Sequence, residues 1–484
     1  MSVASSSQVT RSTRVLLPRA TYLLVAAGLL WSRFAGIGSS LWHDEIYTIR
    51  RFIDPGPSAI FGDYNSNDHI LFSLVGWFSV HLPGLGDSAY RVWSVVPFIV
   101  GVAVVTVWLH RVAGSFVSVV FALLCTTSTQ LLMLSTEARG YGLAFCAMAV
   151  MTVAASEAVR GGGSGSLTWV AVAGTIGCWT LPTLVLPLIG TTAVLLRERA
   201  LRRRLCARLV PAAVAIASWY AVPASALVNS RTQHFGVRLP WHAPLTGAAT
   251  ELAAAFVPSL DAAAVWPMLI VLPVFAFGVY PARKRSAMLS LTVVPIVFTF
   301  SVLTVTRFYV EERFVSYLLV PIFILTALGL EALLVARTSL PRRLVSQTYS
   351  VALLATAVLV FSVFSVIHAT KPQEANREAA GVVAAALKQA IRPVIFNTHD
   401  PRDVLYYLSD VHALRPGDGR IEQTICSAET QKMGEIFVQQ PYGVRTVDTA
   451  CLKRHGARVK VWRQWDRGGS ISVWVLPPTR TAST

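Results

Sequence analysis

Apolar runs of about 20 residues recur down this chain with basic residues in the short loops between them. A helical run of that length matches the hydrocarbon core of a bilayer. In lipid, a helix satisfies all its backbone donors and acceptors internally, which an open sheet does not. Most helices of a soluble protein keep a polar face, and most of these runs have none. Only 14% of the 484 residues are charged, against about 25% in a soluble domain. The sequence therefore predicts a mainly α, polytopic membrane protein. About eleven spans are expected, at residues 15–37, 88–110, 114–132, 141–159, 165–179, 181–197, 209–228, 262–280, 287–305, 314–336 and 347–368.

The formal charge is +17. Its placement between apolar runs points to the membrane, with no nucleic acid as partner. With the N-terminus inside, the cytoplasmic loops collect Arg11, Arg14, Arg19, the cluster from Arg197 to Arg208, Arg283 to Arg285, Arg337, Arg342 and Arg343. The outer side receives far fewer basic residues, as the positive-inside rule requires. No small-residue cleavage site follows the first apolar run, so it reads as a retained helix. Acidic residues crowd the outer side: Asp44, Glu45, Asp68, Glu137, Glu311 and Glu312 among them. Acidic residues contribute little to orientation, so this crowding points to a polar site on the outer face.

The division expected is a transmembrane part over 1–369, with a large first outer loop at 38–87, and a small extracytoplasmic α/β domain over 370–484. Within the loop, the apolar stretch 70–82 is short for a span and reads as an interfacial or re-entrant helix. In the tail, 374–390 reads as a helix, 393–396 as a strand, and 459–465 with 470–476 as a hairpin around Asp466-Arg467-Gly468-Gly469. Cys426 and Cys451 either form one disulfide there or remain two thiols.

Four polar blocks carry candidate chemistry. Trp42-His43-Asp44-Glu45 places adjacent carboxylates just after the first helix, as a general base and its support would need, or as a solvated loop would tolerate. Asn67-Asp68-His69 precedes the interfacial stretch and suits substrate hydroxyls, a divalent ion, or simple helix capping. Glu137-Ala138-Arg139-Gly140-Tyr141 ends the third span, where an unpaired charge is costly. Arg307, Glu311, Glu312, Arg313 and Tyr317 surround the outer loop before the tenth span, and His234 lies in another outer loop. Arginine grips phosphate bidentately. No phosphate-binding glycine loop, dinucleotide fingerprint, zinc spacing or serine elbow stands in a convincing context. The inventory fits transfer from a phosphate-activated donor to a hydroxyl, with carboxylates for the proton and arginines for the anionic leaving group.

On these residues the chain resembles the GT-C glycosyltransferases. The nearest branch contains bacterial aminoarabinose transferases, protein O-mannosyltransferases and actinobacterial mannosyl- and arabinosyltransferases. The Asp44-Glu45 pair, the Asn67-Asp68-His69 block followed by Tyr90-Arg91-Val92-Trp93-Ser94, the Glu137–Tyr141 block and the Arg313 loop occur in the family's order. One departure is Ile70-Leu71, where members often carry Pro-Pro or Pro-Leu. The resemblance implies a polyprenyl-phosphate sugar donor and transfer with inversion in one displacement. It implies Asp44 as base with Glu45 in support, and Arg91, Arg139, Arg313 and Arg307 for donor phosphate or site integrity. Asp68, His69, Glu137 and Tyr141 would serve the acceptor or a metal, with His234 a further ligand candidate. Some members of such a family bind a divalent cation there, Mg or Mn, and others need none. The expected partners are the lipid-linked donor, a glycan or glycolipid acceptor of the cell envelope, and membrane lipids. Mannose is the first expectation for the sugar and arabinose the second. The competing class is a lipid-linked sugar flippase or transporter, which would place charges or broken helices near mid-membrane.

Overall fold

The computed structural model describes residues 21–35, 37–62, 68–80, 88–223, 286–306 and 312–337, then 380, 394–397, 415–416, 435–440, 453–454, 456, 458–464 and 470–475. The chain divides into two compact units, one of Met1–Ile37 with Phe52–Ala369, the other of Gly38–Arg51 with Thr370–Thr484.

The first unit is helical. Its described elements are α1 (Thr21–Phe34), α3 (Pro57–Gly62), α4 (Ile70–Val80), α5 (Ser88–Val112), α6 (Ser115–Thr127), α7 (Thr129–Thr136), α8 (Tyr141–Val159), α9 (Gly163–Thr180), α10 (Val185–Arg197), α11 (Arg202–Ala221), α12 (Ser286–Thr306) and α13 (Leu319–Arg337). Among the described residues, four stretches are long and apolar enough to cross a membrane: Ser88–Val112, Tyr141–Val159, Met288–Thr306 and Val315–Ala332. A bent pair, Ser115–Thr127 with Gln130–Thr136, makes a fifth. The protein is thus a multi-pass membrane protein. The runs at 165–179 and 181–197 are helical as well, and so is 209–221 of the run at 209–228, while those at 262–280 and 347–368 lie outside the described residues.

The core is built on α8. Glycines let its backbone touch that of α5: a Cβ on Gly142 would overlap the Ser94 carbonyl, and one on Gly101 would stand 2.9 Å from Cys146 Cα. Small residues at such crossings replace the missing hydrophobic drive between helices in lipid. α4 has 11 residues, about 16 Å at the helical rise, which is half a bilayer core. Its length agrees with an interfacial or re-entrant segment.

One expected span is not continuous. Residues 114–132 were expected as a single helix, and the chain instead bends by 68° between α6 and α7. The reason is the run Thr126-Thr127-Ser128. Thr126 and Thr127 donate side-chain hydrogen bonds to the carbonyls of Ala122 and Leu123, at 2.7 and 2.8 Å. Ser128 Oγ accepts from Leu131 N–H at 3.2 Å and starts α7 as its N-cap. Hydroxyls that compete for the backbone weaken a helix interior and favour caps.

In the second unit, α2 (His43–Thr48) is followed in sequence by five strands: β1 (Val394–Asn397), β2 (Arg415–Pro416), β3 (Glu435–Gln440), β4 (Arg458–Gln464) and β5 (Ser470–Val475). They form one sheet in the order β2-β1-β3-β5-β4. β1 pairs in parallel with β2 and β3, and β5 runs antiparallel to β3 and β4. The strand near 394 and the β4–β5 hairpin stand where alternation places them. The register shifts between Val459 and Val461, a bulge at Lys460. Of the helix expected at 374–390 only residue 380 is described, and Cys426 and Cys451 lie outside the described residues.

Candidate active site

The first unit gathers polar side chains at the corner between α7 and α8. α7 ends on Glu137, whose extended backbone (φ −73°, ψ 144°) turns the chain out of the helix. Arg139 N–H closes the corner on Glu137 O at 2.8 Å, and α8 begins at Tyr141. Glu137, Arg139 and Tyr141 are all buried, Arg139 completely. The Arg139 guanidinium lies over the Tyr141 ring, 5.3 Å from its centroid, a cation–π contact that gains strength when desolvated.

His69, at the start of α4, docks on this corner. Its Nδ1 accepts the Gly140 N–H at 2.7 Å, and its ring meets Tyr141 edge-on at 5.0 Å. Gly140 has an ordinary φ of −74°, so conformational freedom does not explain the glycine. Space does: a Cβ would stand 2.9 Å from His69 Nδ1 and would overlap Thr180 of α9. Because Nδ1 accepts, a neutral His69 carries its proton on Nε2 and is a donor there. Burial, then the positive charges of Arg139 and Arg313, hold the imidazole well below its ordinary pKa. Arg313, partly exposed in the 3-10 turn Glu312–Leu318, is thereby brought to the same cluster from a distant part of the chain.

Asp68 faces a different environment from its neighbour. Its Oδ1 accepts from Ser73 Oγ at 2.8 Å, and its buried Oδ2 has no hydrogen-bond partner among the described residues. Burial pushes the carboxyl up to about 8, partly offset by the Ser73 bond. The aspartate is therefore mainly protonated at neutral pH. The buried Glu137 carboxylate belongs to the same corner, and the positive charges of Arg139 and Arg313 both act on His69. An anion suits such a place.

Arg91 of α5 is buried and donates from Nη1 to Ile37 O at 3.2 Å, fastening the backbone beyond α1. In the second unit, Glu45 is fully buried and its Oε2 accepts the Trp42 N–H at 3.0 Å, reaching back to cap α2. Asp44, 9% exposed, sits in the first turn of the same helix, and its carbonyl accepts from Thr48 Oγ1 at 2.8 Å. Arg307 and His234 lie outside the described residues.

No known family profile matches this sequence, and no curated protein matches it significantly. Solved structures do. ArnT from Cupriavidus metallidurans bound to undecaprenyl phosphate aligns over 97% of this chain and 98% of its own, at 13% identity and a TM-score of 0.55. The fold is the one seen in ArnT. The apo ArnT structure aligns at 14% identity and a TM-score of 0.53, over 96% and 98% of the two chains. An Archaeoglobus fulgidus oligosaccharyltransferase tethered to an acceptor peptide follows at 11% identity and 0.45, over 87% and 68%. The GT-C resemblance read from the polar blocks thus agrees with the ArnT-like course of the whole chain.

A divalent ion fits the described residues poorly. His69 Nδ1 is taken by a backbone N–H, Asp68 favours its neutral form, and among the described residues no three His, Cys, Asp or Glu side chains lie together. No step below passes through a metal. Two contributors were not singled out from sequence. Ser73 could have been found as the first polar residue within the apolar stretch of α4. The Gly140 amide left no sign beyond the glycine itself.

Proposed function

We propose that this protein is a membrane glycosyltransferase that moves a sugar from a polyprenyl-phosphate donor to a hydroxyl of a cell-envelope glycan or glycolipid. The supporting observation is the corner of buried Arg139, buried neutral His69 and partly exposed Arg313, which suits a phosphate. The ArnT-like fold supports it independently, since that ArnT structure holds undecaprenyl phosphate. Mannose is the first candidate sugar and arabinose the second. The site and the residues from 370 onward are assigned to the extracytoplasmic side on the distribution of arginines.

The reaction is a single inverting displacement. The Asp44 carboxylate takes the proton of the acceptor hydroxyl, and the acceptor oxygen forms its bond to the anomeric carbon. The bond from that carbon to the phosphate oxygen breaks on the opposite face. The electron pair leaves with polyprenyl phosphate, whose added negative charge is met by Arg139 and Arg313. His69 offers its Nε2–H to a phosphate oxygen. Glu45 holds the helix that carries Asp44. Such preplaced charges act where charge develops in the transition state.

The test is transfer from polyprenyl-phosphate mannose or arabinose to an envelope glycolipid extract by the purified protein. Asp44→Asn is expected to abolish transfer with folding and lipid binding intact. Normal transfer by that variant removes Asp44 as base, and failure with every lipid-linked donor favours a transporter.

A further inference from the structure

Arg33 is a charge in the last turn of an apolar helix, and the proposed reaction does not use it. It is completely buried, and among the described residues no carboxylate pairs with it. Its Nη2 donates to Cys125 O at 2.7 Å, and its Nη1 to Thr126 O at 3.4 Å and Ser32 Oγ at 3.0 Å. The guanidinium also lies 4.9 Å from the centroid of the Phe98 ring on α5. A buried arginine is costly unless its donors are met.

The acceptors explain its place. The last hydrogen bond at the end of α6 runs from Ser128 N–H to Leu124 O. The carbonyls of Cys125 and Thr126 are the next two, and so are among those a helix end leaves without intrahelical donors. They also carry the negative end of the helix dipole. Arg33 therefore caps α6 where the chain bends by 68° into α7. α7 has only 8 residues and leads directly to Glu137, Arg139 and Gly140. Its direction sets where the Arg139 side chain and the Gly140 N–H stand.

We infer that Arg33 is a positioning residue for the anion site, holding the α6–α7 bend so that α7 delivers Arg139 and the Gly140 amide to His69. This inference rests on the reading of that corner as a phosphate site. Losing the latch frees the bend, and the phosphate meets a misplaced arginine. A stabilising contact unrelated to the site would lower thermal stability and leave phosphate affinity and the local protection of Gly140 unchanged.

The experiment uses the full chain in nanodiscs with undecaprenyl phosphate as probe. Arg33→Met is expected to weaken binding about tenfold, the equivalent of one charge-assisted contact, with Arg33→Lys recovering part of it. Combined with Arg139→Gln, it is expected to add little to the loss from Arg139→Gln alone, because both act through one group. Full additivity, or wild-type affinity in folded Arg33→Met, overturns the inference. Should Arg33→Met fail to fold, Phe98→Leu removes the ring beneath the guanidinium together with its contact to Phe145, and it is expected to show a smaller loss with the same non-additivity. Wild-type affinity in Phe98→Leu then overturns the inference. If the wild type binds no undecaprenyl phosphate, the phosphate reading fails, and the latch is judged by hydrogen exchange. Arg33→Met, or Phe98→Leu in its place, is then expected to speed exchange in the peptide containing Gly140, and unchanged protection there overturns the latch as well.

Discussion

Gly140→Ala tests the corner with the smallest possible change. The new Cβ would lie 2.9 Å from His69 Nδ1 and 3.2 Å from His69 Cβ, and it would overlap Thr180 Cγ2. The backbone at −74° suits alanine, so the unfolded chain loses entropy and the folded chain gains about 0.4–1 kcal/mol from that source. Overpacking works against it by about 1–3 kcal/mol. If His69 swings away to make room, the buried Gly140 amide loses its acceptor at a cost of about 1–3 kcal/mol. The net expectation is a loss of about 2–4 kcal/mol, the steric effects outweighing the entropic gain. Thr180→Ser removes the methyl that Cβ meets on one side and leaves His69 on the other. The double variant should therefore recover part of the loss and no more. Unfolding in detergent gives the stability order, and undecaprenyl phosphate binding gives the order at the site. Gly140→Ala alone with wild-type stability and affinity would refute the close docking of His69 on this amide.

Asp68 gives a pH dependence with a defined sign. Its folded pKa is raised from 3.8 to about 8, so the stability it contributes is fully present below the ordinary carboxylate value and is lost as pH rises through about 8. The melting temperature of the wild type should fall between about pH 4 and pH 8, and Asp68→Asn should flatten that fall. An equal fall in the variant contradicts a buried neutral Asp68. Glu45 gives a contrast between two substitutions. Glu45→Gln keeps an acceptor for the Trp42 N–H and should change stability by under about 0.5 kcal/mol, whereas Glu45→Ala should cost about 1 kcal/mol. Chemical denaturation separates them, and equal losses would show that the cap is not what Glu45 supplies.

The sequence made the polar blocks visible because a charge among apolar residues must have a reason. Arg139 and Glu137 stood out at a helix end, and they prove to be buried at the corner that receives His69. The partner of His69 was not legible, since it is a backbone amide made accessible by what glycine lacks. Asp68 and His69 read as a pair because they are adjacent in the chain, yet one faces Ser73 and the other faces Gly140, Tyr141 and two arginines. The role of Arg33 was not legible, because the carbonyls that hold it have no letter of their own. The break at Ser128 was written in the hydroxyl residues Thr126, Thr127 and Ser128, but hydropathy counts them as mildly polar and passes over their competition for the backbone.

The state of His69 bears on how the proposed displacement handles protons. Two kinds of influence hold the imidazole neutral: burial, which is the larger, and the charges of Arg139 and Arg313. A phosphate bound at the arginines would cancel much of their field and push the imidazole towards protonation. Burial would remain, and a ligand that closes the corner would deepen it. The Gly140 amide fixes the proton of the neutral ring on Nε2, so the free corner meets a phosphate with a donor already in place. A neutral imidazole so deeply buried is a poor acid, and phosphate needs none to depart once its charge is met. In the proposed displacement the leaving phosphate takes no proton from His69, and the acceptor's hydroxyl proton, assigned there to Asp44, is the one that has to be carried away.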